Sequence, residues 1–162
     1  MKRLMKSSEF ALGLTDPQIE KLAALSQEQR FDEGDLIVKS GERSRDFYLL
    51  LSGSASVEVG SDFCTVCVQV LRPGDAFGWS SLLPGQETLF QVRARERCAA
   101  LRLEGAALIA LCQEDSELGV TLLRRVLLTA AQRVHGLEVK LAEFWGFSKD
   151  KDDLASRNHL YR

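Results

Sequence analysis

QRFDEGDLIVKSGERSRDFYLLLSGSASVEVG, residues 29–60, is a series of short β-prone runs cut by Gly34, Gly41, Gly53 and Gly60. Its β-branched and aromatic residues suit a pleated, half-buried backbone, and its glycines supply the left-handed conformations that tight turns need. The same texture continues through DFCTVCVQVLRPGDAFG (62–78) and TLFQVRARERCAALRLEG (88–105). Many short strands at even spacing, punctuated by glycine, predict a roll, barrel or sandwich.

Outward from this stretch the period becomes helical on both sides. DPQIEKLAALSQ (16–27) offers Asp16 as N-cap and Pro17 at the first helical position, with Ile19, Leu22 and Ala23 on one face. After Gly105, AALIALCQ (106–113) reads as one helix. DSELGVTLLRRVLLTAAQRVHGLEVKLAEFWG (115–146) reads as a second and much longer one, with Asp115 or Ser116 as its N-cap. The tail, SKDKDDLASRNHLYR (148–162), is polar throughout. The expected organisation is an N-terminal helical segment (1–24), a β-roll with its following helix (25–114), a long C-terminal helix (115–147) and a polar tail (148–162).

The long helix carries its own signal. Val120, Leu123, Leu127, Ala130, Val134, Leu137, Leu141 and Phe144 are spaced 3,4,3,4,3,4,3, an a/d heptad seam. Arg133 and Glu138 fall at g and the following e, the spacing of an interchain ion pair in a parallel dimer. The competing reading packs this stripe on the chain's own roll. The seam outlasts the face a small roll could cover, so a homodimer through the long helix is expected. Gly136 falls at an outward position.

Composition excludes several classes. The chain has 162 residues, enough for one domain with a proper core, and a net charge of −2. Its pI of about 5.8 leaves no whole-chain basic excess to drive nucleic-acid binding. No stretch has the apolar length of a signal peptide or a membrane span, so the chain is expected in the cytoplasm with its four cysteines reduced.

IVKSGERSRDFYLLLSGSASVEV (37–59) resembles the cyclic-nucleotide-binding domain family, whose members run apolar pair, Gly-Glu, four apolar residues, Gly and a polar-apolar strand. Here these are Ile37-Val38, Gly41-Glu42, Phe47 to Leu50, Gly53 and Val57, with Ser44 departing from a small apolar residue. RPGDAFGWSSLL (72–83) is similar to the family's R-x-G-D-x-F-G-E-x-A-L: Gly74, Asp75, Phe77, Gly78, Leu82 and Leu83 match, and Ser81 replaces alanine. The resemblance covers about residues 10 to 145. It implies a mainly β fold with α elements: an eight-stranded β-roll (a jelly roll, or double-stranded β-helix) with an N-terminal helix and a long C-terminal dimerisation helix. Phe-Gly-Trp-Ser at the turn is similar to stand-alone bacterial members that lack a DNA-binding domain.

The resemblance also marks a departure. In members that bind cyclic AMP or GMP, a glutamate after Phe-Gly accepts hydrogen bonds from the ribose, and an arginine nine residues later pairs with the phosphate. Carried over without gaps, these positions are Trp79 and Thr88. Each hydrogen bond to a charged group contributes about 1.5–3 kcal/mol. Losing two should weaken an unmodified cyclic nucleotide roughly a hundred- to ten-thousand-fold. Arg93 lies at an odd strand offset from Thr88 and should face away. Arg72 is the next cation to consider. Trp79 could fill the pocket or stack on a flat ligand. The amides of the short turn after Gly78 should still attract an anion, and Leu82 and Leu83 should face the base. The candidate pocket is Gly78, Trp79, Ser80, Ser81, Leu82, Leu83, Thr88 and Leu89, with Thr129 added because it lines up, counting from Arg124-Arg125, with a threonine that touches adenine in catabolite-activator relatives.

Other chemistry is poorly supported. The 15 residues after Phe147 are too few for a helix-turn-helix domain, so direct DNA binding is not expected. Metal catalysis of the cupin kind needs converging histidines, and the two here, His135 and His159, fall on an outward helical position and in the tail. Cys64 and Cys67 form a C-x-x-C within a strand pattern, where i and i+3 face opposite sides, and Cys98 and Cys112 sit in apolar contexts. The expected protein is a non-enzymatic, ligand-sensing or regulatory module with a degenerate phosphate-binding cassette, no metal, and a protein partner that reads its dimer. Its ligand is unnamed, and a cyclic nucleotide could bind only weakly. A scaffold dimer with a filled pocket and a haem or redox sensor of the same superfamily are the alternatives.

Overall fold

A computed structural model of the chain describes residues 5, 8–61, 64–83, 85 and 87–144. The expected tail (148–162), Trp145 and His159 lie outside them. After a 3-10 turn at Glu9–Ala11, helix α1 spans Asp16–Leu25. Eight strands follow: β1 Ser26–Phe31, β2 Leu36–Val38, β3 Asp46–Ser52, β4 Ala55–Ser61, β5 Cys64–Leu71, β6 Ala76–Phe77, β7 Gln91–Ala94 and β8 Cys98–Glu104. A second 3-10 turn, Trp79–Leu82, separates β6 from β7, and helices α2 (Gly105–Glu114) and α3 (Ser116–Phe144) follow β8.

The strands form two four-stranded sheets, β1-β8-β3-β6 and β2-β7-β4-β5, in which every pair is antiparallel. The expected eight-stranded roll is the fold observed. Its logic is visible in the apolar run of β3. Phe47 and Leu49 join Leu101 and Leu103 of β8 in a cluster with Ile19, Leu22, Leu108, Leu118 and Leu122 of the helices. Tyr48 and Leu50 point the other way, into the roll interior with Phe31, Val57, Leu71 and Phe77. A strand covered by helices on one face and by the roll on the other needs consecutive rather than alternating apolar residues. The Tyr48 and Phe77 rings stack at 5.0 Å inside the roll.

The helix starts differ in detail from the sequence expectation. The N-cap of α1 is Thr15, not Asp16; the Thr15 N–H donates to Gln18 Oε1 at 2.9 Å, the return bond of a capping box. Pro17 therefore sits one position deeper. Asp115 caps α3 by accepting from the Leu118 N–H at 3.1 Å, and its other oxygen accepts from Lys21 Nζ at 2.7 Å, tying α1 to the α2–α3 junction. The Lys21 hydrogen bond, with the Leu118 amide, holds the Asp115 carboxyl below its ordinary range. Among the described residues no helix is long and apolar enough to cross a membrane.

Two faces of α3 have separate fates. Leu118 and Leu122 are buried against the roll. The heptad stripe is not: Val120 is 61% exposed, Leu127 69%, Val134 54% and Leu141 59%. The stripe therefore does not pack on the chain's own roll. Gly136, expected outward, is half-buried, and a Cβ there would lie 3.8 Å from Val68 O.

Candidate functional site

The Gly-Asp-Ala-Phe-Gly stretch delivers the chain from β6 into a turn that only glycine permits. Gly78 has φ +76°, and a Cβ on it would stand 2.5 Å from the Asp46 carbonyl oxygen. The turn after it is a single 3-10 turn held by the Ser81 N–H and hydroxyl, both donating to Gly78 O. The turn is four residues long, and two amides in it are spent within it: Ser81 N–H donates to Gly78 O and Leu83 N–H to Ser80 O. The turn presses on the start of α2: a Cβ at Gly105 would come within 2.5 Å of Ser81 O.

A cavity of about 200 Å³ opens beside this turn. Gly78, Trp79 and Ser80 form one wall, Glu87 to Phe90 another, Val38 and Val92 the apolar floor. Arg133 of α3 closes it. Roll and long helix thus share one cavity.

Arg133 is the unusual member. It is only 6% exposed, on a helix whose flanking residues face solvent. Its Nε donates to Gln69 Oε1 at 3.5 Å, a long contact, and its Nη2 is buried with no partner among the described residues. The guanidinium carbon lies 5.8 Å from the centre of the Trp79 ring. Burial lowers its pKa to about 10, so it remains a cation at neutral pH. The cation–π contact contributes about 0.5–2 kcal/mol, less than the several kcal/mol that burying an unpaired ion costs. The Trp79 indole Nε1 is a second buried donor without a partner.

The structure brings Gly78, Trp79, Ser80, Thr88 and Leu89 of the expected pocket together around this cavity. It places four elsewhere. Ser81 bonds back to Gly78, Leu82 is buried in the helix-side core, and Leu83 is exposed. Neither leucine lines the cavity, because the 3-10 turn rotates them away from it. Thr129 lies in a neighbouring groove with Phe10, Gly74 and Gln132, its hydroxyl donating to Arg125 O at 3.0 Å. Thr88 spends its hydroxyl locally, accepting from the Phe90 N–H at 3.1 Å. Arg93 faces away, but because it alternates with the buried Val92 in β7, since Thr88 lies outside that strand: its Nε lies 3.3 Å from Glu58 Oε2 on the outer face. Arg72 is exposed in the β5–β6 turn and does not reach the cavity.

Arg133 was legible only as a heptad g residue. Its burial removes it from the expected interchain pair with Glu138, which instead lies 3.5 Å from His135 Nδ1. The spacing Leu118, Leu122, Val126, Thr129, Arg133, a second stripe on the roll side of α3, is the signal that could have found it.

Burial pushes the Cys98 and Cys112 thiols up, and among the described residues no group of histidine, cysteine or acid side chains could hold a metal.

This geometry can be set beside known proteins. Residues 28–115 match the cyclic nucleotide-binding domain family, and the chain belongs to it. Among curated proteins it is similar to potassium channel AKT1 of Oryza sativa subsp. indica, 27% identical over 103 residues, which is 64% of this chain and 11% of the channel. The chain thus spans about a tenth of the curated relatives it matches. Among solved structures it is similar to a provisionally assigned cyclic nucleotide-binding protein from Geobacter metallireducens GS-15, with TM-score 0.71 and 28% identity, covering 83% of this chain and 98% of that one. It also resembles the catabolite activator protein of Thermus thermophilus, with TM-score 0.69 and 25% identity, covering 85% of this chain and 64% of that one.

Proposed function

We propose that this member of the cyclic nucleotide-binding domain family is a non-enzymatic, ligand-sensing regulatory module whose sugar and phosphate contacts have been replaced, and that it works as a homodimer through α3. One observation carries the reading: the cavity is walled jointly by the Trp79 turn, the Glu87–Phe90 loop and the long helix. An occupant must touch both bodies, so it biases how α3 sits on the roll. A second route runs through packing. The Trp79–Leu82 turn abuts Gly105 of α2, and Cys112 of α2 abuts Gly119 of α3, where a Cβ would stand 2.7 Å from the Cys112 carbonyl oxygen. Close backbone contacts of this kind shift as units.

Two copies would bury the Val120, Leu127, Val134 and Leu141 stripe against each other, and a partner protein would read the change in their packing. The cyclic nucleotide of the family fits this cavity poorly. Trp79 supplies no carboxylate, Thr88 is engaged with Phe90, and the cavity volume is only about 200 Å³.

Calorimetry with cyclic AMP and cyclic GMP tests the reading. The unmodified chain should bind neither more tightly than high micromolar, and Trp79→Glu with Thr88→Arg should recover binding beyond the sum of the single changes. Low-micromolar binding to the unmodified chain would show that the missing acid and arginine do not matter.

A further inference from the structure

Two buried donors in the residues lining one cavity, with no partner among the described residues, point to what is missing. Buried N–H groups are paired in more than about 90% of cases. Here Arg133 Nη2 and Trp79 Nε1 are both buried and both unpaired. Arg133 closes the cavity and Trp79 lines it. The complement of an unpaired cation in a cavity lining is an oxyanion, and Trp79, whose ring centre lies 5.8 Å from the guanidinium carbon, lines the same cavity.

The remaining walls set the body of the occupant. Val38, Leu89, Phe90 and Val92 are apolar. An apolar cavity of about 150 Å³ accepts one benzene ring, so about 200 Å³ accommodates a ring with one acid group. A cyclic nucleotide, with a fused base, a ribose and a phosphate, is larger. Glu87 stands exposed on the rim and disfavours a second negative charge.

We infer that the cavity is a site for a small monoanionic organic acid, a single ring or an equivalent apolar body carrying one carboxylate, held by the Arg133 guanidinium beside Trp79. The inference rests on the ligand-sensing reading and adds the chemistry of the ligand. The anion is held from the long helix rather than from the loop after β6, so binding would itself pull α3 toward the roll.

Benzoate is the probe, with benzamide as its uncharged twin. Titrations use the full chain carrying Trp145→Phe, so that indole fluorescence comes from Trp79 alone. Benzoate should change that fluorescence at sub-millimolar concentration, and benzamide should bind at least about tenfold more weakly. Arg133→Met should weaken benzoate roughly ten- to a hundredfold while raising the melting temperature of the unliganded protein, because it removes an unpaired buried charge at similar volume. Arg133→Lys should retain part of the binding. Benzoate that does not bind, binds no better than benzamide, or binds unchanged to Arg133→Met overturns the inference. A fall in melting temperature for unliganded Arg133→Met also counts against it, since the guanidinium would then be structural. Tight cyclic AMP binding untouched by Arg133→Met would sink the acid site and leave ligand sensing standing. Benzoate binding that depends on Arg133 but leaves the spacing of spin-labelled α3 helices unchanged would establish the acid site and sink the sensing reading.

Discussion

Glu58 and Gly78 illustrate how single residues hold the walls of this roll. Burial alone would push the Glu58 carboxyl up, but Ser56 Oγ at 2.6 Å, Gln91 Nε2 at 2.8 Å and Arg93 Nε at 3.3 Å donate to it, and the net effect lowers its pKa. A carboxyl with a folded pKa below its unfolded one contributes stability that is fully present above the unfolded value and is lost as pH falls through the folded value. Glu58→Gln should therefore cost about 1–2 kcal/mol at neutral pH, with the difference from the unmodified chain closing under acid, as urea unfolding across a pH series would register. No closing of that gap would mean the carboxylate is not held charged. Gly78→Ala should destabilise by about 2 kcal/mol or more, since it meets both a left-handed φ of +76° and the Asp46 carbonyl. Chemical denaturation reads this directly, and a neutral result would mean that the turn relaxes.

Helix α3 has one apolar face buried inside this chain and a second that stands exposed on it. Leu118 and Leu122 are 0% and 1% exposed against the roll, and Leu122→Ala should cost about 2–5 kcal/mol of domain stability. The opposite stripe, with Leu127 at 69% and Val134 at 54% exposure, is free in a single chain. Leu127→Glu with Val134→Glu should leave the circular dichroism of the roll intact yet convert a micromolar dimer to a monomer, because each charge would be buried at an a position. Light scattering decides it: a monomeric unmodified chain removes the seam from the function. The stripe was readable from its 3,4 spacing alone, because a heptad is a local pattern. That it faces away from the roll was not, because that depends on which residues Leu118 and Leu122 find across the fold.

At the scale of the whole molecule the cavity ties the roll to the long helix. In the Trp79→Glu, Thr88→Arg variant, cyclic AMP should slow amide exchange both in the Trp79–Leu82 turn and in α3 around Arg133. Protection confined to the roll would mean that occupancy is not transmitted. The two routes, through Gly105 and Gly119 at α2 and through Arg133 directly, meet on the same helix. A change at the turn is therefore not expected to stay local.

Much of this protein was legible in its sequence. Strand texture and glycine turns encode the roll, since backbone preference and turn geometry are local. The four apolar residues Phe47 to Leu50 announce a strand buried on both faces. That Trp79 and Thr88 stand where the resemblance would place an acid and an arginine is equally visible, while Arg93 turns outward onto Glu58 because it alternates with the buried Val92 in β7. Tertiary structure alone decided the rest of the site. Leu82 left the cavity for the helix-side core, Leu83 is exposed, and Thr129 fell into the next groove. Arg133 entered because the rotation of α3 is set by Leu118 and Leu122, which are buried in one cluster with residues of α1, α2, β3 and β8 that lie far away in the chain. Helical periodicity shows which residues share a face. Only long-range packing determines what that face meets, and so whether a charge at position 133 meets solvent, a second chain or a buried cavity.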